Sequence, residues 1–388
     1  MIIKPKTRGF ICTTAHPEGC KHNVREQIDY VRAAGIINDG PKNVLIIGSS
    51  TGYGLASRIV AAFGCKAKTV GVFFERPASG DKTASAGWYN SVAFKQYAES
   101  AGLVAENING DAFSTDIKDK VLRVVKDKLG KVDCLIYSLA APRRTDPLTG
   151  ETYRSVLKPI GEKFSSKTVN VDTNEVYNIE LEPATPEEIT GTIKVMGGED
   201  WELWIQALLD EGLLADGAKT VAYSYLGPQM TKPIYSHGTI GKAKEDLDRA
   251  VISINDMLSK INGHACISVN KAVVTQASSA IPVVPLYISL LFKVMKEKNV
   301  HEGCIEQMYR LFKNHLYGTD ESVDEVGRVH LDNFEMQPDV QAAVLELWSK
   351  VNTEDIVQTS DIIGYRKEFL KLFGFGIDGI NYNLDVTP

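Results

Sequence analysis

The stretch "NVLIIGSSTGYGLASRIVAAFG" (residues 43–64) decides the fold. A short β-branched run ends at Gly48, and a segment with the apolar spacing of a helix follows it. Gly48, Gly52 and Gly54 permit a tight turn between the two, where a pyrophosphate could lie against the N-terminus of the helix. Ser57 stands where the third glycine of the G-x-G-x-x-G fingerprint would be. The stretch predicts a strand–turn–helix unit that binds a dinucleotide, and a turn without a ligand is the alternative.

Strands and helices alternate beyond this unit. Further strands are predicted at 69–75, 103–110, 132–140, 219–227 and 265–270, and helices near 91–101, 116–130, 200–214 and 240–260. Continuous apolar strands joined by helices favour a parallel sheet that is covered on both faces. We therefore predict an α/β fold, a Rossmann-like doubly wound parallel sheet. A hairpin excursion is expected at 141–185 and a mostly helical region at 276–388, while residues 1–40 form an N-terminal extension without an assigned structure.

Composition narrows the class of protein. The 388 residues carry 44% hydrophobic and 24% charged side chains and a net charge of -6, with no long basic run, so nucleic acid is not an expected partner. The six cysteines are far apart, which is typical of free thiols in a reducing cytoplasm. The most apolar stretch, "IPVVPLYISLLF" (281–292), is too short to cross a bilayer, and the first residues have no secretory signal. A soluble, cytoplasmic protein is expected.

Acidic and apolar residues after the next strands suggest the rest of the cofactor site. Glu75 ends the second strand, 21 residues after Gly54, where a carboxylate could accept hydrogen bonds from ribose hydroxyls. It favours NADH over NADPH because a 2′-phosphate would meet a like charge, although Arg76 could pair with that phosphate instead. Asp111 and Ala112 follow the third strand, where Asp111 could accept a hydrogen bond from the adenine amino group. Leu139 and Ala140, after the fourth strand, would flank the adenine and its ribose. Without the glycine turn all four would be ordinary loop residues.

Tyr235 and Lys244 are nine positions apart and would face opposite sides of a single helix. Gly238 and Thr239 indicate a turn and an N-cap between them, so the helix should begin near residue 240 and leave Tyr235 on the preceding loop. Tyr225 lies at the carboxyl end of a predicted strand, and all three side chains could converge. A phenol beside an ammonium suits proton transfer next to hydride transfer. The alternative is that the tyrosines are packing residues.

With these residues in view, the chain resembles the FabV-type enoyl-acyl-carrier-protein reductases and the related trans-2-enoyl-CoA reductases, enlarged members of the short-chain dehydrogenase/reductase superfamily. Their tyrosine and lysine are separated by eight residues, as Tyr235 and Lys244 are, whereas most short-chain dehydrogenases use a gap of three. The matching stretches run nearly end to end: "GSSTGYGLASRI" (48–59), "FFE" (73–75), "AGWYN" (86–90), "NGDAFS" (109–114), "YSLAAPRRTDP" (137–147), "VMGGEDWELWI" (195–205), "YSHGTIGKAK" (235–244) and "KAVVTQASSAIPVVPLY" (271–287).

The resemblance implies a single enlarged Rossmann-like domain over 1–388, acting as a monomer, that uses NADH to reduce trans-2-enoyl thioesters. It implies that Tyr235 is the proton donor, that Lys244 is catalytic and binds the cofactor, and that Tyr225 contacts the substrate. Segment 281–292 would then line or cover the acyl chain, and the helix of "VMGGEDWELW" could border the same pocket. The implied cofactor contacts are Gly48, Ser49, Ser50, Thr51, Gly52, Tyr53, Gly54, Phe74, Glu75, Asp111, Ala112, Leu139, Ala140, Lys244, Val273, Val274 and Thr275.

The carrier of the acyl group stays open at this point. Reduction of enoyl-acyl-carrier protein closes the fatty acid elongation cycle, while the alternative acts mainly on crotonyl-CoA in a fermentative or butyrate pathway. Acyl carrier protein would need a basic surface, for which Arg143 and Arg144 are candidates. A 3-ketoacyl or sugar-alcohol dehydrogenase, or an NADH sensor without turnover, are rival interpretations. A metal site from His16, Cys20 and His22 is not expected, because no second ligand pair is nearby.

Overall fold

The computed structural model describes residues 1–388 and contains strands and helices throughout. The strands are β1 (Thr7–Arg8), β2 (Ile11–Cys12), β3 (Asn43–Ile47), β4 (Lys68–Phe73), β5 (Ala105–Asn109), β6 (Val132–Tyr137), β7 (Arg143–Thr145), β8 (Thr152–Arg154), β9 (Phe164–Asn170), β10 (Glu175–Leu181), β11 (Leu214–Ser224), β12 (His264–Val269) and β13 (Val329–His330).

The central sheet has seven strands in the order β13-β12-β11-β6-β3-β4-β5, and every neighbouring pair is parallel. Its six longer strands are those predicted from the sequence, within a few residues at each end. The prediction of a Rossmann-like α/β fold is confirmed. The seventh strand, β13, was not predicted, because two residues are too short to show an alternating pattern.

The helices are α1 (Pro17–Ala34), α2 (Gly52–Ile59), α3 (Ala86–Ser100), α4 (Thr115–Lys128), α5 (Pro186–Met196), α6 (Glu199–Asp210), α7 (Thr239–Leu258), α8 (Gln276–Ser279), α9 (Val284–Glu297), α10 (Cys304–Arg310), α11 (Pro338–Lys350), α12 (Ile356–Thr359) and α13 (Ile362–Lys371). A π-helical turn extends α2 over Val60–Gly64, and a second one extends α10 over Leu311–Leu316. A 3-10 turn, Ser259–Ile261, ends α7. No helix combines the length and the apolar character that crossing a membrane requires.

Both faces of the sheet are buried under helices. Because successive side chains of a strand point to opposite faces, a strand can contribute residues to two apolar clusters. In β3, Val44 and Ile46 belong to one apolar cluster, which α1, α2 and α10 cover. Leu45 and Ile47 belong to another, which α4, α6 and α7 cover. Because both faces of β3 are buried, its sequence from Val44 onward is a continuous apolar run and has no polar residue at alternate positions.

The additions to this core differ in part from the prediction. Region 141–185 forms two hairpins, β7–β8 and β9–β10, rather than one. Residues 1–40 form the β1–β2 hairpin and α1, and α1 packs against α3. A third apolar cluster contains residues of α9, α11 and α13, and β9 also packs there. All six cysteines are free, as expected.

Candidate active site

The parallel strands bring the predicted site residues to one edge of the sheet. Six strands end at this edge, each just before a predicted site residue or segment: β3 before the glycine turn, β4 before Glu75, β5 before Asp111, β6 before Leu139, β11 before Tyr225 and β12 before the segment 271–275. In doubly wound sheets the ligand lies along this edge. The structure therefore brings together segments that are up to about 230 residues apart in the chain.

Two glycines let the turn after β3 pack backbone against backbone. Gly48 has a φ of 86°, and a Cβ on it would lie 2.0 Å from the carbonyl oxygen of Ser138. A Cβ on Gly54 would lie 1.9 Å from the carbonyl oxygen of Gly48. No other residue fits at these two positions without moving the turn. The free N–H groups at the start of α2 thus lie at the sheet edge, which suits a pyrophosphate.

Ser57 takes the place of the third fingerprint glycine. Its hydroxyl donates to the carbonyl oxygen of Tyr53 at 2.6 Å and hydrogen-bonds the hydroxyl of Tyr223 at 2.5 Å. Ser57 is fully buried. A polar contact between α2 and β11 therefore replaces the close helix–strand packing that glycine provides in the usual fingerprint.

Glu75 lies beside the glycine turn. Its Oε1 accepts a hydrogen bond from the hydroxyl of Ser50 at 2.7 Å, while its Oε2 makes no hydrogen bond within the chain. The amide of Asn109 holds the backbone of Glu75 at both its N–H (2.8 Å) and its carbonyl (2.9 Å). Gly87 leaves room for the carboxylate, since a Cβ there would lie 2.0 Å from Oε1. The carboxylate is fixed with one oxygen free, and the exposed Arg76 follows it.

Five further predicted cofactor contacts lie at this edge, and their side chains differ in how far they are exposed. Phe74 is 74% exposed at this edge, where a flat ligand could cover its ring. Asp111 uses one carboxylate oxygen for the backbone N–H two residues later, at 3.0 Å. Ala112 is buried, Leu139 contacts the glycine turn, and Ala140 is exposed.

The segment Val273–Thr275 reaches the glycine turn from β12. The methyl group of Thr275 is 3.6 Å from the position of a Cβ on Gly52. The hydroxyl of Tyr53 donates to the carbonyl oxygen of Lys271 at 2.6 Å. These contacts join the two ends of the predicted cofactor site.

Tyr235 lies on the loop before α7, as predicted. Its carbonyl oxygen accepts hydrogen bonds from the N–H groups of Gly238 at 3.0 Å and Gly241 at 2.9 Å, so the loop folds onto the first turn of the helix. A Cβ on Gly241 would lie 1.9 Å from the carbonyl oxygen of Ser236. Thr239 was predicted to be the N-cap, which is wrong: Gly238 is the N-cap and Thr239 is the first helical residue.

The rings of Tyr225 and Tyr235 meet edge to face, with centroids 4.8 Å apart. Tyr235 is 8% exposed, and its hydroxyl makes no hydrogen bond within the chain. Burial raises the pKa of this phenol, so it holds its proton at neutral pH. The hydroxyl of Tyr225 donates to Glu335 at 2.9 Å. Only Tyr235 therefore offers an uncommitted phenol proton at this contact.

Lys244 points back to the strand rather than to Tyr235. Its ammonium donates to the carbonyl oxygen of Tyr223 at 2.9 Å. Burial lowers the pKa of Lys244 to about 8, and Asp248 opposes that shift. Tyr225 and Tyr235 converge as predicted, whereas Lys244 contacts the backbone of Tyr223 near the end of β11.

Glu335 is a site residue that the sequence did not reveal. It is fully buried, and its carboxylate accepts from Tyr225 at 2.9 Å, from Tyr287 at 2.6 Å and from the backbone N–H of Ala272 at 2.6 Å. Burial raises the pKa of Glu335, and nearby Lys271 opposes that shift. No local pattern marks this carboxylate, because its partners are 48 to 110 residues away in the chain.

The third apolar cluster adjoins Tyr235. The first nine residues of α9 are all buried, and several of them share this cluster with Tyr235, Ile240 and Val274. The expectation for "VMGGEDWELW" is wrong for its tryptophans. Trp201 and Trp204 lie in the cluster under the sheet, where Trp201 stacks on Tyr137, and Met196 alone of that stretch packs against the cluster of Tyr235.

Two other candidate groups have structural partners. Arg144 is 2% exposed and pairs with Glu199 at 2.7 Å, so it is not the exposed basic residue that a carrier protein would need. Its neighbour Arg143 is exposed. His16 caps α1 and packs edge to face on Tyr382 with ring centroids 4.9 Å apart, and Cys20 is on the buried face of the same helix.

Three family models match the chain. The NAD(P)H binding domain of trans-2-enoyl-CoA reductase matches residues 2–80, the trans-2-enoyl-CoA reductase catalytic region matches 82–317, and the enoyl reductase FAD binding domain matches 323–386. The catalytic model alone spans more than half of the chain.

Curated and solved relatives match over the full length. An enoyl-[acyl-carrier-protein] reductase [NADH] of Saccharophagus degradans is 59% identical, and a trans-2-enoyl-CoA reductase [NADH] of Ruminiclostridium cellulolyticum is 56% identical, each over 100% of this chain and 98% of the relative. The crystal structure of Clostridium acetobutulicum trans-2-enoyl-CoA reductase in complex with NADH has a TM-score of 0.97 and 46% identity, covering 100% of this chain and 98% of that chain.

The flavin in the third model's description does not fit the residues that it matches. Region 323–386 has one two-residue strand and helices α11 to α13, and no glycine turn that joins a strand to a helix. Its glycine-rich stretch follows α13, where Gly374 packs against Gly19: a Cβ on Gly19 would lie 1.7 Å from the carbonyl oxygen of Gly374.

Proposed function

The chain belongs to the trans-2-enoyl-CoA reductase family, and from that premise we propose that it reduces the trans-2 double bond of enoyl thioesters with NADH. The product is the saturated acyl thioester. The observation that carries the proposal is Tyr235, a buried phenol with an unpartnered hydroxyl, at the same sheet edge as a turn that fits a dinucleotide. Enoyl-acyl-carrier protein and enoyl-CoA are both proposed substrates.

The chemistry follows from where charge develops. Bound NADH supplies a hydride to C3 of the enoyl group, and negative charge then grows on the thioester oxygen. Tyr235 hydrogen-bonds that oxygen and supplies the proton that C2 requires, while its own burial keeps it protonated beforehand. One NADH and one proton are consumed for each double bond.

Lys244 and Tyr225 have supporting roles in this proposal. The Lys244 ammonium, held by the carbonyl of Tyr223, binds the nicotinamide ribose, and its positive charge stabilises the charge left on Tyr235 through space rather than through a direct hydrogen bond. Tyr225, in ring contact with Tyr235, borders the thioester. The segment Val273–Thr275 contacts the nicotinamide, and its distance to Gly52 supports one continuous cofactor groove.

The acyl chain is proposed to lie against α9, whose buried first half adjoins Tyr235. The relatives' names divide between acyl-carrier-protein and coenzyme A substrates, and the buried Arg144 leaves only Arg143 of the two arginines for a carrier protein. Both carriers therefore stay in the proposal. A monomer and a cytoplasmic location stay predictions.

The direct test measures NADH oxidation with each of three substrates: crotonyl-CoA, crotonyl-acyl carrier protein and acetoacetyl-CoA. The reaction is followed by the loss of absorbance at a wavelength at which only the reduced cofactor absorbs. We expect oxidation with the two enoyl thioesters and none above background with the ketoacyl thioester. The ratio of kcat/KM for the two crotonyl substrates then gives the preferred carrier. Oxidation with acetoacetyl-CoA alone would contradict the proposal and favour a ketoacyl reductase that uses the same tyrosine.

Glu75→Ala should narrow the preference for NADH over NADPH. Its free oxygen is proposed to accept from the ribose hydroxyls, and its charge opposes a 2′-phosphate, a juxtaposition that costs several kcal/mol. We expect kcat/KM with NADPH to rise relative to NADH by about tenfold or more. Asp81→Ala, which removes an exposed carboxylate from the same loop, should leave the ratio unchanged. An unchanged ratio in Glu75→Ala would place the discrimination elsewhere.

A further inference from the structure

The carboxylate of Glu335 accepts hydrogen bonds from three donors. Two of the donors are the phenols of Tyr225 and Tyr287, which share Oε1, and the third is the backbone N–H of Ala272 on Oε2. Lys271 supplies the compensating positive charge, and its own ammonium donates to the carbonyl oxygen of Ala272 at 2.8 Å. Such surroundings suit an ionised carboxylate, which accepts at both oxygens and donates at neither.

We infer that Glu335 is the positioning residue that makes the two active-site tyrosines unequal, by engaging the single proton of Tyr225 and leaving Tyr235 as the only phenol that donates to the substrate. The inference rests on the proposed function, in which both rings border the thioester. A phenol has one hydrogen, so a Tyr225 that donates to Glu335 presents only lone pairs on its other side. Tyr235 has no such partner.

The same carboxylate links the tyrosines to the cofactor groove. Oε2 binds Ala272, which directly precedes the segment proposed to contact the nicotinamide, while Oε1 binds Tyr225. Tyr287 is in the buried half of α9, the helix proposed to lie against the acyl chain, so this helix is also bound to the Glu335 carboxylate. One side chain from the C-terminal region therefore fixes three parts of the site relative to each other.

Glu335→Gln offers a test with a defined direction. The backbone N–H of Ala272 cannot turn away, so the glutamine oxygen should face it and the NH₂ should face the phenols. A phenol hydroxyl rotates readily and would then accept from that NH₂. The hydrogen of Tyr225 is thereby released and can point to the substrate, where Tyr235 normally donates.

The experiment combines this change with loss of the normal donor. We expect Tyr235→Phe to lower kcat about 10²–10⁴-fold and Glu335→Gln in that background to restore about tenfold. A gain of activity cannot result from structural damage. Adding Tyr225→Phe to the double variant should abolish the gain. Asp133→Asn in the Tyr235→Phe background is the matched control, because that carboxylate caps two backbone N–H groups at the opposite edge of the sheet and should give no gain.

The outcomes are distinguishable. No gain in a double variant that folds and binds NADH would overturn the inference, and so would a gain that survives Tyr225→Phe. Should Glu335→Gln fail to fold, Tyr225→Phe alone decides: we expect a loss under about tenfold, and a loss equal to that of Tyr235→Phe would overturn the inference. Full activity of Tyr235→Phe would instead contradict the proposed function itself.

Discussion

Tyr235→Phe should lower kcat with crotonyl-CoA by about 10²–10⁴-fold, the usual contribution of a general acid. The hydroxyl makes no hydrogen bond within the chain, so its removal leaves no buried partner without a bond. The phenylalanine ring keeps the edge-to-face contact with Tyr225. Steady-state kinetics, with NADH affinity measured separately by fluorescence, should therefore show a loss in turnover with nearly unchanged cofactor binding.

Tyr177→Phe is the control for this substitution, because Tyr177 is an exposed tyrosine of β10 in the second hairpin of region 141–185. It should retain full turnover. Wild-type kcat in Tyr235→Phe would remove the proton donor from the proposed mechanism, and a parallel loss of NADH affinity would show that the substitution had disturbed the groove instead.

Gly54→Ala should weaken NADH binding by about 5- to 150-fold, which corresponds to the 1–3 kcal/mol that overpacking typically costs. The methyl group would lie 1.9 Å from the carbonyl oxygen of Gly48, so the turn must move away from α2. The N–H groups proposed to hold the pyrophosphate then lose their alignment. Titration of NADH followed by fluorescence measures the change in Kd.

Gly64→Ala makes the same chemical change at the far end of the helical segment. A Cβ there would lie 3.3 Å from the nearest atom, a side-chain methyl group of Val31, which can move slightly. We expect its NADH affinity to equal that of the wild type. An unchanged affinity in Gly54→Ala would mean that the turn does not hold the pyrophosphate.

Local patterns predicted the sheet and the loop that carries Tyr235. The buried strands are short apolar runs that end in turn residues, so their carboxyl ends, and the residues that follow them, could be placed on one edge from the sequence. Gly238 indicated the break before α7, and the structure differs only in making Gly238 rather than Thr239 the N-cap. These features depend on neighbours in the chain.

Features that depend on distant partners were not predictable. Glu335 is an ordinary acidic residue in its local context, and its role becomes visible only when folding places it under Tyr225, 110 residues earlier. Trp201 and Trp204 are on a helix whose apolar side could face either core, and contacts with β6 and β11 decide it. The choice between two buried clusters is a property of tertiary packing.

The two-residue strand β13 also reduces the number of free backbone groups that the sheet edge exposes for pairing with another chain. An uncovered edge strand with a long row of free backbone groups is a template for aggregation. Here the end of β12 is paired by β13, which is too short to act as such a template in turn. The protein thus limits intermolecular strand pairing at this edge of the sheet with its own residues.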